Sequence, residues 1–282
     1  MMGIMMMIAG LSAVTLAVAF GRASRSHGLW WDDGRSWTLA HWPRLCAELK
    51  AMGIDHIVVG TNGSENAKLG RADGRWSAEQ LAQLAAPRNA PRVHAMVWAA
   101  PTATFLASFK RYCSELQQTG IRVVELDIER EVWGDTPVSG FPSKEAAADA
   151  LLQAALDAGL VVGVTMIPDR VYPGFERADY IAIQSYSRFA GGADTHRPGG
   201  NYGPGAMQER GARAAKRAGL PLVQGLAAYD QQFSGPLGPE MHTAYDAAHR
   251  TSKVIRWWSS KWVIGANANP DVRRVIEKLI QA

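Results

Sequence analysis

The chain has 282 residues, 47% of them hydrophobic, and a formal net charge of +4, enough apolar material for a full core in one large α/β domain or two small ones. Its basic and acidic residues are interspersed, and the lack of any Lys/Arg block argues against nucleic acid as a partner. Short Gly/Pro-rich runs fall between periodic segments, with no linker, repeat or low-complexity tract, which favours a single domain.

The first segment with a clear character is residues 2–20, which carry no charge. Such a run is long enough to span a bilayer as a helix, so it reads as a signal peptide or a membrane anchor. Ala17-Val18-Ala19 and Arg22-Ala23-Ser24 are candidate cleavage marks, but Arg22 and Arg25 follow the run and no basic residue precedes it. That polarity is the reverse of an ordinary signal. The expected division is residues 1–26 as signal or anchor, dispensable to the fold up to residue 25, and residues 27–282 as the folded domain. The expected location is secreted, periplasmic or membrane-anchored facing the cell wall.

From residue 28 onward the chain alternates β-rich runs with amphipathic helical stretches, the pattern of parallel strands joined by crossover helices. Strands are predicted at 28–32, 54–60, 93–98, 121–129, 160–167, 179–186, 221–228 and 254–258. Helices are predicted at 37–52, 76–86, 102–119, 143–158, 205–218, 239–252 and 269–281. Gly53, Gly120, Gly159 and Gly219 fall where helices should stop. Eight such units define a (β/α)8 barrel with one defect: Pro168 to Ala178 is too short for a helix between the fifth and sixth strands. Cys46 and Cys113 sit on apolar helix faces and read as packing residues without a disulfide.

The fourth strand is the most informative. In Val123-Val-Glu-Leu-Asp-Ile-Glu129 the acids recur at every second position, so Glu125, Asp127 and Glu129 share one side of the strand and the apolar residues share the other. Burying a row of acids is costly unless they are paired, hydrogen-bonded or protonated. Active sites of such barrels lie at the C-terminal ends of the strands. There the sequence supplies Asp32 and Asp33, Thr61 and Asn62, Trp98, Asp127 and Glu129, Thr165 and Met166, Gln184 and Tyr186, Gln224 and Tyr229, and Trp257 and Trp258. Acids, amides, phenols and indoles on one mouth suit a carbohydrate, with aromatic faces for sugar rings and acids for the glycosidic oxygen. The chain shows no zinc-ligand spacing, no Gly-x-Ser-x-Gly elbow and no phosphate loop, and no cofactor or metal is expected. His196 lies in a Gly-rich loop, Ser187 to Gly205, long enough to reach over the mouth, and reads as a surface residue.

These residues resemble the chitinase and lysozyme barrels of glycoside hydrolase family 18, whose fourth strand carries Asp-x-x-Asp-x-Asp-x-Glu. The matching register here is Arg122-Val-Val-Glu125-Leu-Asp127-Ile-Glu129, with the last two acids kept, Arg122 for the first Asp and Glu125 for the second. Val164-Thr-Met-Ile-Pro168, Ile181-Ala-Ile-Gln184-Ser-Tyr186 and Val254-Ile-Arg-Trp-Trp-Ser259 are similar to the family's fifth, sixth and eighth strands. Family 25 lysozymes, which also carry Asp-x-Glu on the fourth strand, are the nearest competitor. The resemblance implies hydrolysis of β-1,4-linked N-acetylhexosamine polymers, peptidoglycan or chitin. It makes Glu129 the general acid, with Asp127 and Tyr186 orienting the substrate acetamido group and Gln184 holding that group or a hydroxyl. Glu125 would lie below Asp127 and share a proton with it. Two alternatives stay open: a barrel that binds glycan without cleaving it, and a family 25-like muramidase with a different mechanism.

Overall fold

A computed structural model describes residues 17, 19–21, 25–31, 35–186, 203–228, 237–264 and 268–282. Eight parallel strands close into a barrel in sequence order, with β8 returning to β1. They are β1 (Ser26–Trp31), β2 (His56–Gly60), β3 (Arg92–Trp98), β4 (Val123–Asp127), β5 (Val161–Met166), β6 (Tyr180–Gln184), β7 (Leu222–Ala227) and β8 (Val254–Trp258). Around them run α1 (Arg35–Met52), α2 (Ser64–Lys68), α3 (Ala78–Ala85), α4 (Ala103–Thr119), α5 (Lys144–Asp157), α6 (Ala206–Ala218), α7 (Leu237–Thr251), α8 (Ser260–Val263) and α9 (Pro270–Gln281). Each strand predicted from the sequence is present. The short α2 and α8 and a π-helical turn at Arg130–Gly134 were not foreseen. Among the described residues no helix is long and apolar enough to cross a membrane.

The period-2 pattern divides every strand between two cores. Outward residues such as Leu29, Ile57, Val97, Leu126, Val164, Ile183 and Leu226 pack against helix residues such as Leu49, Leu81, Phe109 and Leu152. Inward residues, among them Trp30, Val58, Met96, Val123, Tyr180 and Val223, fill the barrel interior. Two inward glycines make room for larger neighbours. A Cβ on Gly163 would stand 2.2 Å from the Tyr180 ring, and one on Gly28 would stand 2.1 Å from the His56 ring, far inside van der Waals contact. Side chains cap the helix N-termini: Thr102 accepts from the Phe105 N–H, Ser143 from that of Ala146, and Asn269 from those of Asp271 and Val272.

Between β5 and β6 the chain crosses without a helix, as its length requires. The gap leaves a cavity of about 230 Å³ on the outer wall, lined by Val164, Met166, Tyr172, Phe175 and Leu220 among others. The opposite departure is at the N-terminus. Ala19 and Phe20 lie buried in the interior core with Trp30, Val58 and Tyr180, so the packed body begins before the expected boundary at residue 27.

Candidate active site

The acid-bearing strand does what its alternation implies. β4 pairs with β3 and β5 so that Asp127 lies beside Trp98 on one side and Thr165 on the other. The backbone remains extended through Glu129, at φ −105° and ψ 160°, so Glu125, Asp127 and Glu129 rise on the inward side from depth to rim. The π-helical turn then begins at once, with Trp133 N–H donating to the Glu129 carbonyl at 2.7 Å. Lys144 Nζ braces that turn on the carbonyls of Trp133 and Gly134 at 2.7 and 2.6 Å, and the buried Trp133 ring packs on Phe175 at 5.1 Å.

At the rim, Gln184 Nε2 donates to Glu129 Oε1 at 3.0 Å. Burial lifts the Glu129 carboxyl to about 7; the Gln184 hydrogen bond opposes that shift, and the neighbouring Glu131 adds to it. Asp127 is 2% exposed, and its Oδ1 has no hydrogen-bond partner among the described residues. Burial, then the charges of Glu129, Glu125 and Glu131, push its carboxyl well above the usual range. Across the mouth, Tyr186 is buried and its ring lies 6.5 Å from that of Trp258, which meets Trp30 edge-on at 5.8 Å. Trp98 is half-buried, its backbone clamped by Asn62, which accepts from Trp98 N–H at 2.8 Å and donates to its carbonyl at 3.1 Å. Glu129, Asp127, Gln184, Tyr186, Trp98 and Trp258 therefore share one mouth: an acid raised toward neutrality at the rim, a buried carboxyl oxygen below it, and aromatic walls.

Glu125 departs from its expected part. It is 0% exposed, and both of its oxygens are occupied: Thr165 Oγ1 and Tyr180 OH donate to it, the latter at 2.8 Å, and Arg256 closes an ion pair with it. Among the described residues its hydrogen bonds run to Thr165, Tyr180 and Arg256, and none to Asp127. Beneath this pair, Arg256 Nε donates to His56 Nε2 at 3.0 Å, so His56 carries its proton on Nδ1, toward Asp55 at 2.7 Å. His94 Nε2 donates to the Ala19 carbonyl at 2.9 Å. Burial, with Arg256 close by, holds both imidazoles well below their ordinary value, hence neutral.

Three other expected site residues point away from the mouth. Met166 follows the inward Thr165 and faces the outer-wall cavity. Gln224 is outward and donates to the Gln208 carbonyl at 2.7 Å and to Thr251 Oγ1 at 3.1 Å. Trp257 stacks on Tyr245 at 5.9 Å in the core between barrel and helices. Asp32, Asp33, Tyr229 and His196 lie outside the described residues. The sequence reading missed Arg256, Tyr180, Trp30 and Glu131. Arg256 had a usable mark, since it alternates with Val254 and Trp258 and an inward guanidinium needs an inward acid.

No protein-family model matches the chain, and no curated protein sequence does. Solved structures match its fold. The GH18 chitinase ChiB of Flavobacterium johnsoniae aligns at 10% identity over 91% of this chain and 94% of its own, with a TM-score of 0.55. A GH5_18 protein of Streptomyces cattleya, in complex with GlcNAc, aligns at 14% identity over 92% and 80%, with a TM-score of 0.62. The β-amylase catalytic domain of Paenibacillus polymyxa aligns at 8% identity over 90% and 97%, with a TM-score of 0.61. Tryptophan synthase chains also match, so this likeness establishes the (β/α)8 barrel and not the chemistry.

Proposed function

We propose that the protein is a glycoside hydrolase acting on β-1,4-linked N-acetylhexosamine polymers, with peptidoglycan and chitin as the candidate substrates. The observation that carries this reading is the Glu129 carboxyl, held near neutrality at the rim and hydrogen-bonded by Gln184, above a buried Asp127 oxygen with no hydrogen-bond partner among the described residues. A carboxylic acid that is still protonated near neutral pH can donate to a leaving oxygen.

In the proposed reaction the substrate's acetamido oxygen attacks the anomeric carbon as the glycosidic C–O bond breaks, and the Glu129 proton passes to the leaving oxygen. Asp127 accepts from the acetamido N–H and stabilises the positive oxazolinium ring, Tyr186 orients the same group, and Trp258 packs on the sugar face. The Glu129 carboxylate then takes a proton from water as that water opens the ring, which restores the acid and retains the β-configuration. The route differs from the usual two-carboxylate scheme in that no protein nucleophile is used. NMR of fresh product tests it. N-acetylated oligomers should yield the β-anomer first and de-N-acetylated oligomers should resist cleavage; an initial α-anomer would exclude the substrate-assisted route, and binding without cleavage would favour a non-hydrolytic glycan-binding barrel.

A further inference from the structure

The connection from β5 to β6 is held off the outer wall of the barrel. Arg177 donates to Asp149 and Gln153 of α5 at 2.6 and 2.7 Å. A Cβ on Gly174, whose φ is +92°, would stand 2.9 Å from the Ala148 Cβ, so the loop lies directly against α5. Phe175 packs on Trp133, and the Tyr172 hydroxyl lies over Gly134, 2.7 Å from the place a Cβ would take there. On the other side Arg210 of α6 pairs with Asp169 at the start of the loop. Pinned to α5 and to the π-helical turn, and strutted against α6, the loop is kept from closing over the faces of β5 and β6 that a helix would otherwise cover.

The space it leaves is the cavity of about 230 Å³. Val164, Met166 and Ile181 form its back wall from the outer faces of the two strands, and Tyr172, Phe175 and Leu220 form its sides. An apolar cavity of about 150 Å³ admits benzene. A ring with a short side chain therefore fits here, and a disaccharide does not. Two charged residues also line it, Arg217 and Glu176, both exposed and so at its edge. Glu176 Oε1 accepts from the Gly174 N–H at 3.1 Å. The Arg217 guanidinium has no hydrogen bond or ion pair among the described residues. A cation near the end of α6 complements the helix dipole, but Lys216 beside it does so equally and lines no part of the cavity.

We propose that this cavity is a binding site for a small monocarboxylate with an apolar body, the body lodged against Met166 and Phe175 and the carboxylate paired with Arg217. Burial of the body supplies most of the affinity, and the guanidinium–carboxylate pair supplies direction. The site lies on the outer wall, and binding there does not depend on the chemistry performed at the mouth. Because Phe175 walls the cavity and packs on Trp133, the Trp133 indole is a built-in reporter of occupancy.

Isothermal titration calorimetry of the full chain tests it with hydrocinnamate, with hydrocinnamyl alcohol as the neutral analogue and acetate as the carboxylate without a body. Hydrocinnamate should bind saturably with a Kd below about 1 mM, the alcohol at least ~10-fold more weakly, and acetate not measurably. The Trp133 indole N–H resonance should shift as hydrocinnamate saturates. Arg217→Met should weaken the carboxylate at least ~10-fold and leave the alcohol unaffected. Glu176→Gln, which removes a like charge from the edge, should tighten the carboxylate. Ala218→Phe fills the cavity and should abolish binding of both; should that variant fail to fold, Arg217→Met, at an exposed position, decides the matter. No saturable binding of hydrocinnamate, equal binding by Arg217→Met, or undiminished binding by a folded Ala218→Phe would overturn the proposal. A dimer of the full chain that Ala218→Phe abolishes, without carboxylate binding, would overturn it too and assign the cavity to a second copy.

Discussion

Arg256 on β8 and Glu125 on β4 form an ion pair at the centre of the barrel, both 0% exposed. Two charges buried together repay their desolvation only when the remaining donors and acceptors are satisfied. Here Tyr180, Thr165 and His56 satisfy them. Removing one partner leaves the other buried and uncompensated, so Glu125→Gln and Arg256→Met should each cost about 3–5 kcal/mol. Denaturant unfolding of the two single variants and the double variant checks this. The double variant should be less destabilised than the sum of the singles, because neither charge is then left alone.

The barrel floor supplies a second stability test. Phe20 is 3% exposed and fills the space under Arg256, so Phe20→Ala should cost about 3–5 kcal/mol. A chain beginning at Ser26 should melt well below one beginning at Ala17. Equal melting temperatures would show that Ala19 and Phe20 contribute nothing to the folded state, which is what the sequence reading of residues 1–25 as dispensable expects.

Stability should also depend on pH through Glu129. Its carboxyl stands at about 7 in the folded chain against an ordinary 4.5, because of burial. The folded state therefore holds a proton that the unfolded chain has released. The stability this supplies is complete below pH 4.5 and is lost as pH rises toward 7, an effect of up to about 3 kcal/mol. Asp127, raised by burial and by Glu129, acts in the same direction. Urea unfolding at stepped pH should show the decline, and Glu129→Gln should flatten part of it.

Gln184 works against that shift by donating to the Glu129 carboxylate. Gln184→Leu should therefore raise the Glu129 pKa further and move the high-pH limb of kcat/KM upward. Carbon-13 NMR titration of the Glu129 carboxyl reports the same change without any turnover. A lower pKa in the variant would contradict the assigned donor.

The fold was legible because two periodicities alternate cleanly: apolar residues at every second position in the strands, and helices closed by glycines such as Gly120 and Gly219, both in the left-handed conformation. The shared side of Glu125, Asp127 and Glu129 followed from the same rule. Depth along the strand did not, and it is depth that makes Glu125 a buried ion-pair partner and Glu129 a rim acid. Met166, Gln224 and Trp257 were read into the mouth because they sit near strand ends, although alternation from Thr165, Gly225 and Trp258 sends them outward. Phe20 was illegible for a different reason. An apolar uncharged run has the same composition whether it enters lipid or the bottom of a barrel, and only the partners His56, His94 and Arg256, far apart in sequence, tell the two apart.

Replacement of Glu129 by Gln tests the central claim most directly, since the amide keeps the shape of the carboxyl and an oxygen that can accept from Gln184, and loses its acidity. Reducing-end release from purified peptidoglycan and from chitin oligomers should be measurable for the parent chain and fall at least ~10²-fold in Glu129→Gln, with glycan binding retained. Near-parental turnover by Glu129→Gln on a polymer the parent chain cleaves would contradict the account.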